Sequence, residues 1–167
     1  MFESALFLIF PAALAFAGCM DLFTMTIPNR VSLVLIAAFV LILPFAPMGW
    51  HGLANHLGAG ALMLVVGIGL FSLRLLGGGD AKLLACIALW FGFEFLLEYL
   101  TLAAICGGVL SIAILAFRGV TLPAWFYGQA WAMRLHNKTG GIPYGVALAA
   151  AGLWMYPLTP WFKLLTV

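Results

Sequence analysis

Two aspartates stand out in a chain with few charges. Asp21 closes an apolar stretch that starts near Phe2, and Asp80 follows Gly77-Gly78-Gly79 and opens another. Carboxylates near membrane depth are costly to ionise and face a protein interior or a wet pocket, which makes both functional candidates. Two carboxylates held close together share a proton: one takes a proton from water while the other, protonated, polarises a carbonyl. Such a dyad titrates as a pair, so neither Asp is assigned as the base. That is the acid–base chemistry of peptide hydrolysis, and it requires both residues at one level of the fold.

The elements that could place them there follow from composition. The chain has 167 residues, 66% hydrophobic, with seven Lys or Arg, five Asp or Glu and a net charge of +2. A soluble domain of this length carries roughly 40 charges. An ordinary soluble globule and a disordered chain are both excluded, and the solvent is lipid. A hydrocarbon core of about 30 Å takes roughly 20 helical residues. Six spans are expected, near Phe2 to Met20, Ile27 to Phe45, Leu57 to Leu76, Ala81 to Leu97, Tyr99 to Phe117 and Ile142 to Leu158. As one helix, Ala81 to Phe117 would be about 55 Å long, so a turn is needed, and Gly92 with Glu94 and Glu98 marks it. The first segment lacks the basic start of a secretory signal and reads as an uncleaved span.

Sidedness follows from the basic residues. Arg30, Arg74, Lys82, Arg118, Arg134 and Lys138 share one side, while Lys163 falls on the other with Glu3, Glu94 and Glu98. The positive-inside rule then places both termini outside the cytoplasm and loops 21–30, 74–82 and 118–141 inside it. Asp21 and Asp80 are the acids left on the cytoplasmic face. Trp50, Trp90, Trp154, Tyr156 and Trp161 suit the outer interface, and Trp125, Phe126, Tyr127 and Trp131 the inner one, where Leu122 to Arg134 reads as a short amphipathic helix.

Other reactive residues offer less. Cys19, Cys86 and Cys106 are isolated in apolar runs and read as small buried thiols, without the spacing of a metal or disulfide site. His136 reads as solvated, and His51 and His56 lie on the far side from the aspartates. No metal, cofactor or nucleic acid is expected. Gly77-Gly78-Gly79 disfavours helix interior and suits a loop that presents Asp80 to an extended peptide. Residue chemistry leaves three readings open: a catalytic dyad, an ion or proton pathway, or helix caps in which Asp21 serves helix two or pairs with Arg30 and Asp80 serves helix four.

Three motifs narrow the choice. Gly77-Gly78-Gly79-Asp80-Ala81-Lys82 resembles the G-x-G-D-x-K signature of the type IV prepilin peptidases, the bacterial branch of the GxGD membrane aspartic proteases. Asp21 followed by Ile27-Pro28-Asn29 is similar to that family's other aspartate segment, and Pro143-Tyr144-Gly145 to the P-Y-G that begins its last helix. The resemblance implies an all-α, polytopic inner-membrane endopeptidase. It would remove the basic leader of a prepilin at the cytoplasmic face, cutting after a Gly just before the pilin's hydrophobic helix, with Asp21 and Asp80 as the catalytic pair. Met25 and Thr26 stand where many relatives carry basic residues. Residues 1–167 look like a single peptidase domain without the N-methyltransferase domain of larger members, similar to the short form of tight-adherence (Flp) pili.

Around the pair, Gly77 and Gly79 shape the loop, and Lys82 either steadies Asp80 and its loop or snorkels. Pro28 opens helix two and Asn29 is a candidate cap. Pro143 starts the last helix and Tyr144 lies either near the dyad or at the interface. The expected partners are a Flp-type prepilin and the lipid bilayer. The rivals are an intramembrane protease of other substrates, a small transporter and an assembly scaffold.

Overall fold

In hydrocarbon every backbone N–H and C=O must be satisfied within the chain, which favours helices. The structure, a computed structural model, describes residues 2–46 and 48–165, with side chains from 8 to 162 except 47 and 124. The side chains of Glu3 and Lys163, used above for sidedness, lie outside the described residues. Seven α-helices follow in order among the described residues, with no strand: α1 (Phe2–Thr24), α2 (Asn29–Ile42), α3 (Trp50–Ser72), α4 (Gly78–Gly119), α5 (Ala130–His136), α6 (Tyr144–Met155) and α7 (Pro160–Leu165). By length and composition α3 and α4 suffice to cross a membrane, and Leu8–Thr24, Asn29–Phe45 and Tyr144–Leu158 are shorter apolar helices. Leu33, Val65, Leu97 and Ile112 project outward and exposed. An exterior of that kind suits lipid, not water.

The expected turn falls at Gly92, where φ is 65° and ψ is 178°. Glycine reaches that backbone region without steric penalty. The limbs of α4 on either side double back. The rings of Phe91 and Tyr99 meet with centroids 5.3 Å apart, and Asp80 from the first limb lines a cavity with Ser111 and Arg118 from the second. α6 packs against both α1 and α4, while α2 and α3 flank the first limb.

At the end away from Asp80, Phe10, Phe39, Trp90 and Trp161 form a buried aromatic block. The Trp90 indole N–H donates to the Leu35 carbonyl at 3.0 Å, and that of Trp161 to the Trp90 carbonyl. Of the aromatics expected at the outer interface, Trp50 and Trp154 are exposed, whereas Trp90, Tyr156 and Trp161 are core. Period and composition alone do not separate an interfacial Trp from a buried one whose N–H finds a carbonyl.

The segment expected as one amphipathic helix is two pieces, a 3-10 turn at Ala124–Phe126 and α5, separated at Gly128. Trp125 and Tyr127 are exposed there, while Phe23, Trp131 and Phe126 make successive ring contacts that tie the segment to α1. Cys86 is buried as expected, Cys106 is half-buried and Cys19 is exposed on the outer face of α1. His136 is not free in solvent: its Nδ1 lies 3.1 Å from the Phe117 carbonyl.

Because lipid tails are as apolar as Leu, helices in a bilayer associate through close packing at small residues. α3 and α4 do so at Gly60 and Gly67. A Cβ on Gly67 would lie 3.0 Å from Cβ and 3.2 Å from Cα of Ala81, directly after Asp80. Gly67→Leu is therefore expected to push α3 off the first turn of α4 and to destabilise the protein by about 1–3 kcal/mol. Thermal unfolding in detergent checks this, and an unchanged midpoint would contradict the close packing.

Candidate active site

Both aspartates sit where a helix ends or begins. Asp21 lies in the last turn of α1, just before Met25 adopts φ 56°, and Asp80 lies in the first turn of α4, with Gly77 as its N-cap. α3 ends with Arg74 at φ 58°, its N–H and that of Leu75 donating to the carbonyls of Phe71 and Leu70. This is a Schellman ending with Arg in the place that glycine usually takes. Left-handed backbone at two non-glycine residues stores strain, and such strain clusters at functional sites. Met25 and Arg74 line the same cavity of about 710 Å³ as Asp21 and Asp80.

The two carboxylates meet at Gly145. A Cβ there would stand 2.8 Å from Oδ2 of Asp21, 3.0 Å from Oδ1 of Asp80 and 2.6 Å from Cδ1 of Ile27. One empty side-chain position thus joins all three motifs. The first turn of α6 turns the backbone N–H groups of Gly145 and Val146 toward Asp21 and that of Gly145 toward Asp80, which the N–H of Gly77 also faces. The free N–H groups and positive dipole end of a helix N-terminus favour such negative groups. Asp21 is 5% exposed and its Oδ2 has no hydrogen-bond partner, while Asp80 is half-buried at the cavity wall. An unpartnered buried carboxylate oxygen is a costly atom, and it faces the neighbouring carboxylate across Gly145.

The caps take other forms. Pro28, in extended conformation, is the N-cap of α2, and Asn29 makes no cap bond. Instead Asn29 Oδ1 accepts a 2.8 Å hydrogen bond from Lys82 Nζ. Lys82 thus braces the Ile27-Pro28-Asn29 segment rather than reaching Asp80. Of the three glycines expected as a loop, only Gly77 lies outside the helix, as its N-cap, while Gly78 and Gly79 form the first turn of α4. The Ile27 segment packs there, since a Cβ on Gly79 would be 3.1 Å from Ile27 Cβ. Pro143 is the N-cap of α6. The Tyr144 ring rests on Gly107 of the returning limb of α4, where a Cβ would lie 2.5 Å from Cε2, and it lines a second cavity of about 590 Å³ with Asp80. Gly77, Asp80, Gly141 and Ile142 border both cavities, so Asp80 stands where the two adjoin and Asp21 on the wall of the first. No cluster of metal-ligating side chains occurs among the described residues.

Three contributors are absent from the residue-by-residue sequence expectations. Gly145 was legible only as the end of a motif, and its role depends on the approach of three elements. Met25 and Arg74 give no sequence signal, because their backbone angles are unusual for their type.

A profile of the type IV leader peptidase family matches residues 8–112, which hold both aspartates and the glycine turn. A prepilin leader peptidase/N-methyltransferase from Aeromonas salmonicida (strain A449) is 28% identical over 155 residues, covering 85% of this chain and 46% of the relative, and a second protein of that name from Aeromonas salmonicida matches equally. The chain spans about half the length of these curated relatives. No solved structure matches it. With most of its length matched and the matched stretch carrying both aspartates, the chain belongs to the type IV leader peptidase family.

Proposed function

We propose that this chain is a membrane aspartic endopeptidase that removes the N-terminal leader of prepilins, of the Flp type, at the cytoplasmic face of a bacterial inner membrane. Residues 1–167 act as one peptidase domain with six spans, the limbs of α4 being two of them, and both termini outside. The observation that carries this reading is the convergence of Asp21 Oδ2 and Asp80 Oδ1 within 3.0 Å of one point, on the wall of a cavity that both line. One carboxylate takes a proton from a water molecule as that water attacks the peptide carbonyl, and the protonated partner donates to the carbonyl oxygen. The N–H groups of Gly145 and Val146 favour the charged form of Asp21, and that of Gly145 the charged form of Asp80. An extended leader crosses at Gly77 and Gly141, which add no side chain of their own to the cavity wall.

An ion pathway is less well supported, because beyond the aspartates the bundle is filled by the Phe10, Phe39, Trp90 and Trp161 block. Co-expression with a prepilin, followed by sequencing of the new N-terminus, tests the reading. A leader cut before the apolar segment is expected, whereas a cut within that segment would favour an intramembrane protease of other substrates.

Asp21→Asn and Asp80→Asn are each expected to lower leader removal by about a thousandfold or more at an unchanged membrane level, since neither carboxylate works without the other. Processing that survives either change rules out the dyad. Gly145→Ala places a methyl group between the carboxylates and Ile27. An activity loss of about a hundredfold is expected from the sub-ångström to ångström displacement this forces. Quantitative immunoblotting of processed and unprocessed pilin measures both effects, and near-normal processing by Gly145→Ala contradicts the close approach.

A further inference from the structure

Arg118, one residue from the end of α4, is a guanidinium only 8% exposed. Its Nε donates to the Leu135 carbonyl at 2.8 Å, and Nη2 donates to the carbonyls of Gly140 and Gly141 at 3.0 and 2.8 Å. Three carbonyl oxygens, rather than a carboxylate, thus solvate the buried charge. One belongs to the last turn of α5, and the other two lie on the loop that leads from α5 into α6. Gly140 and Gly141 bring no side chains to anchor that stretch, and the Gly140 N–H bond to the Asn137 carbonyl stays within the same loop. Arg118 therefore ties this loop to the returning limb of α4, beside His136 at the end of α5, whose Nδ1 meets the Phe117 carbonyl. Two residues further on, Pro143 caps α6, whose first turn presents the N–H groups of Gly145 and Val146 to the aspartates. Arg118 also shares a cavity wall with Asp80 and Tyr144.

We propose that Arg118 is a positioning residue for the aspartate pair: by clamping the carbonyls of Gly140 and Gly141 it holds the first turn of α6 in register with Asp21 and Asp80. The inference rests on the proposed peptidase reading. The planar guanidinium meets three acceptors at once in fixed directions, which an ammonium on a flexible stem does not reproduce. Charge is thereby separated from geometry, since Lys keeps the first and loses the second.

Purified wild type, Arg118→Lys and Arg118→Gln are compared in detergent on a prepilin, with kcat and KM expressed per folded enzyme and the folded fraction taken from thermal unfolding. Either variant alone suffices for the comparison. Expected is a fall in kcat of about tenfold or more in both variants, with KM within about twofold of wild type, since misplacement of the acids affects the chemical step more than peptide binding. A wild-type kcat in Arg118→Lys overturns the proposal. So does a loss confined to KM, which would make Arg118 a substrate contact, and so does a loss that disappears on correction for folded fraction. A wild type that leaves the leader in place overturns the peptidase reading itself and this inference with it.

Discussion

Two carboxylates brought together in an apolar bundle are each deprived of bulk water and set against a like charge, and the surrounding chain must offset both costs. It does so with backbone. The N–H groups at the starts of α4 and α6 point at the acids, and Gly145 leaves out the one side chain that would separate them. Everything close to the site serves that arrangement. Ile27 seals its apolar side, Lys82 fixes the segment carrying Ile27 through Asn29, and Tyr144 locks α6 to Gly107.

The rest of the bundle supplies rigidity at a distance. Burial of Phe10, Phe39, Trp90 and Trp161 joins α1, α2, α4 and α7 at the far end, and their indole N–H groups are spent on carbonyls. Glycine contacts hold α3 against the first turns of α4, with Gly67 on Ala81 directly after Asp80. Strained Met25 and Arg74 line the cavity with the aspartates, while the dense aromatic block fills the other end of the bundle.

Much of this was legible in the residues. The scarcity of charge placed the chain in lipid, Gly92 broke the overlong apolar run, and the basic loops put Asp21 and Asp80 on one face. Trp90 and Trp161 were misplaced, because a buried indole and an interfacial one have the same local sequence signature and differ only in which carbonyl is near. Asn29 likewise had the chemistry of a cap, yet Lys82, far along the chain, claims its oxygen.

The sequence by itself determined the solvent, the helical class and the turn at Gly92, and it singled out the two acids as candidates, because hydropathy, charge and backbone freedom are properties of residues and short segments. Only the tertiary structure decided that Asp21, Asp80 and Ile27 meet at Gly145, and that Arg118 grips the loop beside them. Those contacts join residues from different helices, and they form where packing brings the helix ends together, which no local pattern encodes.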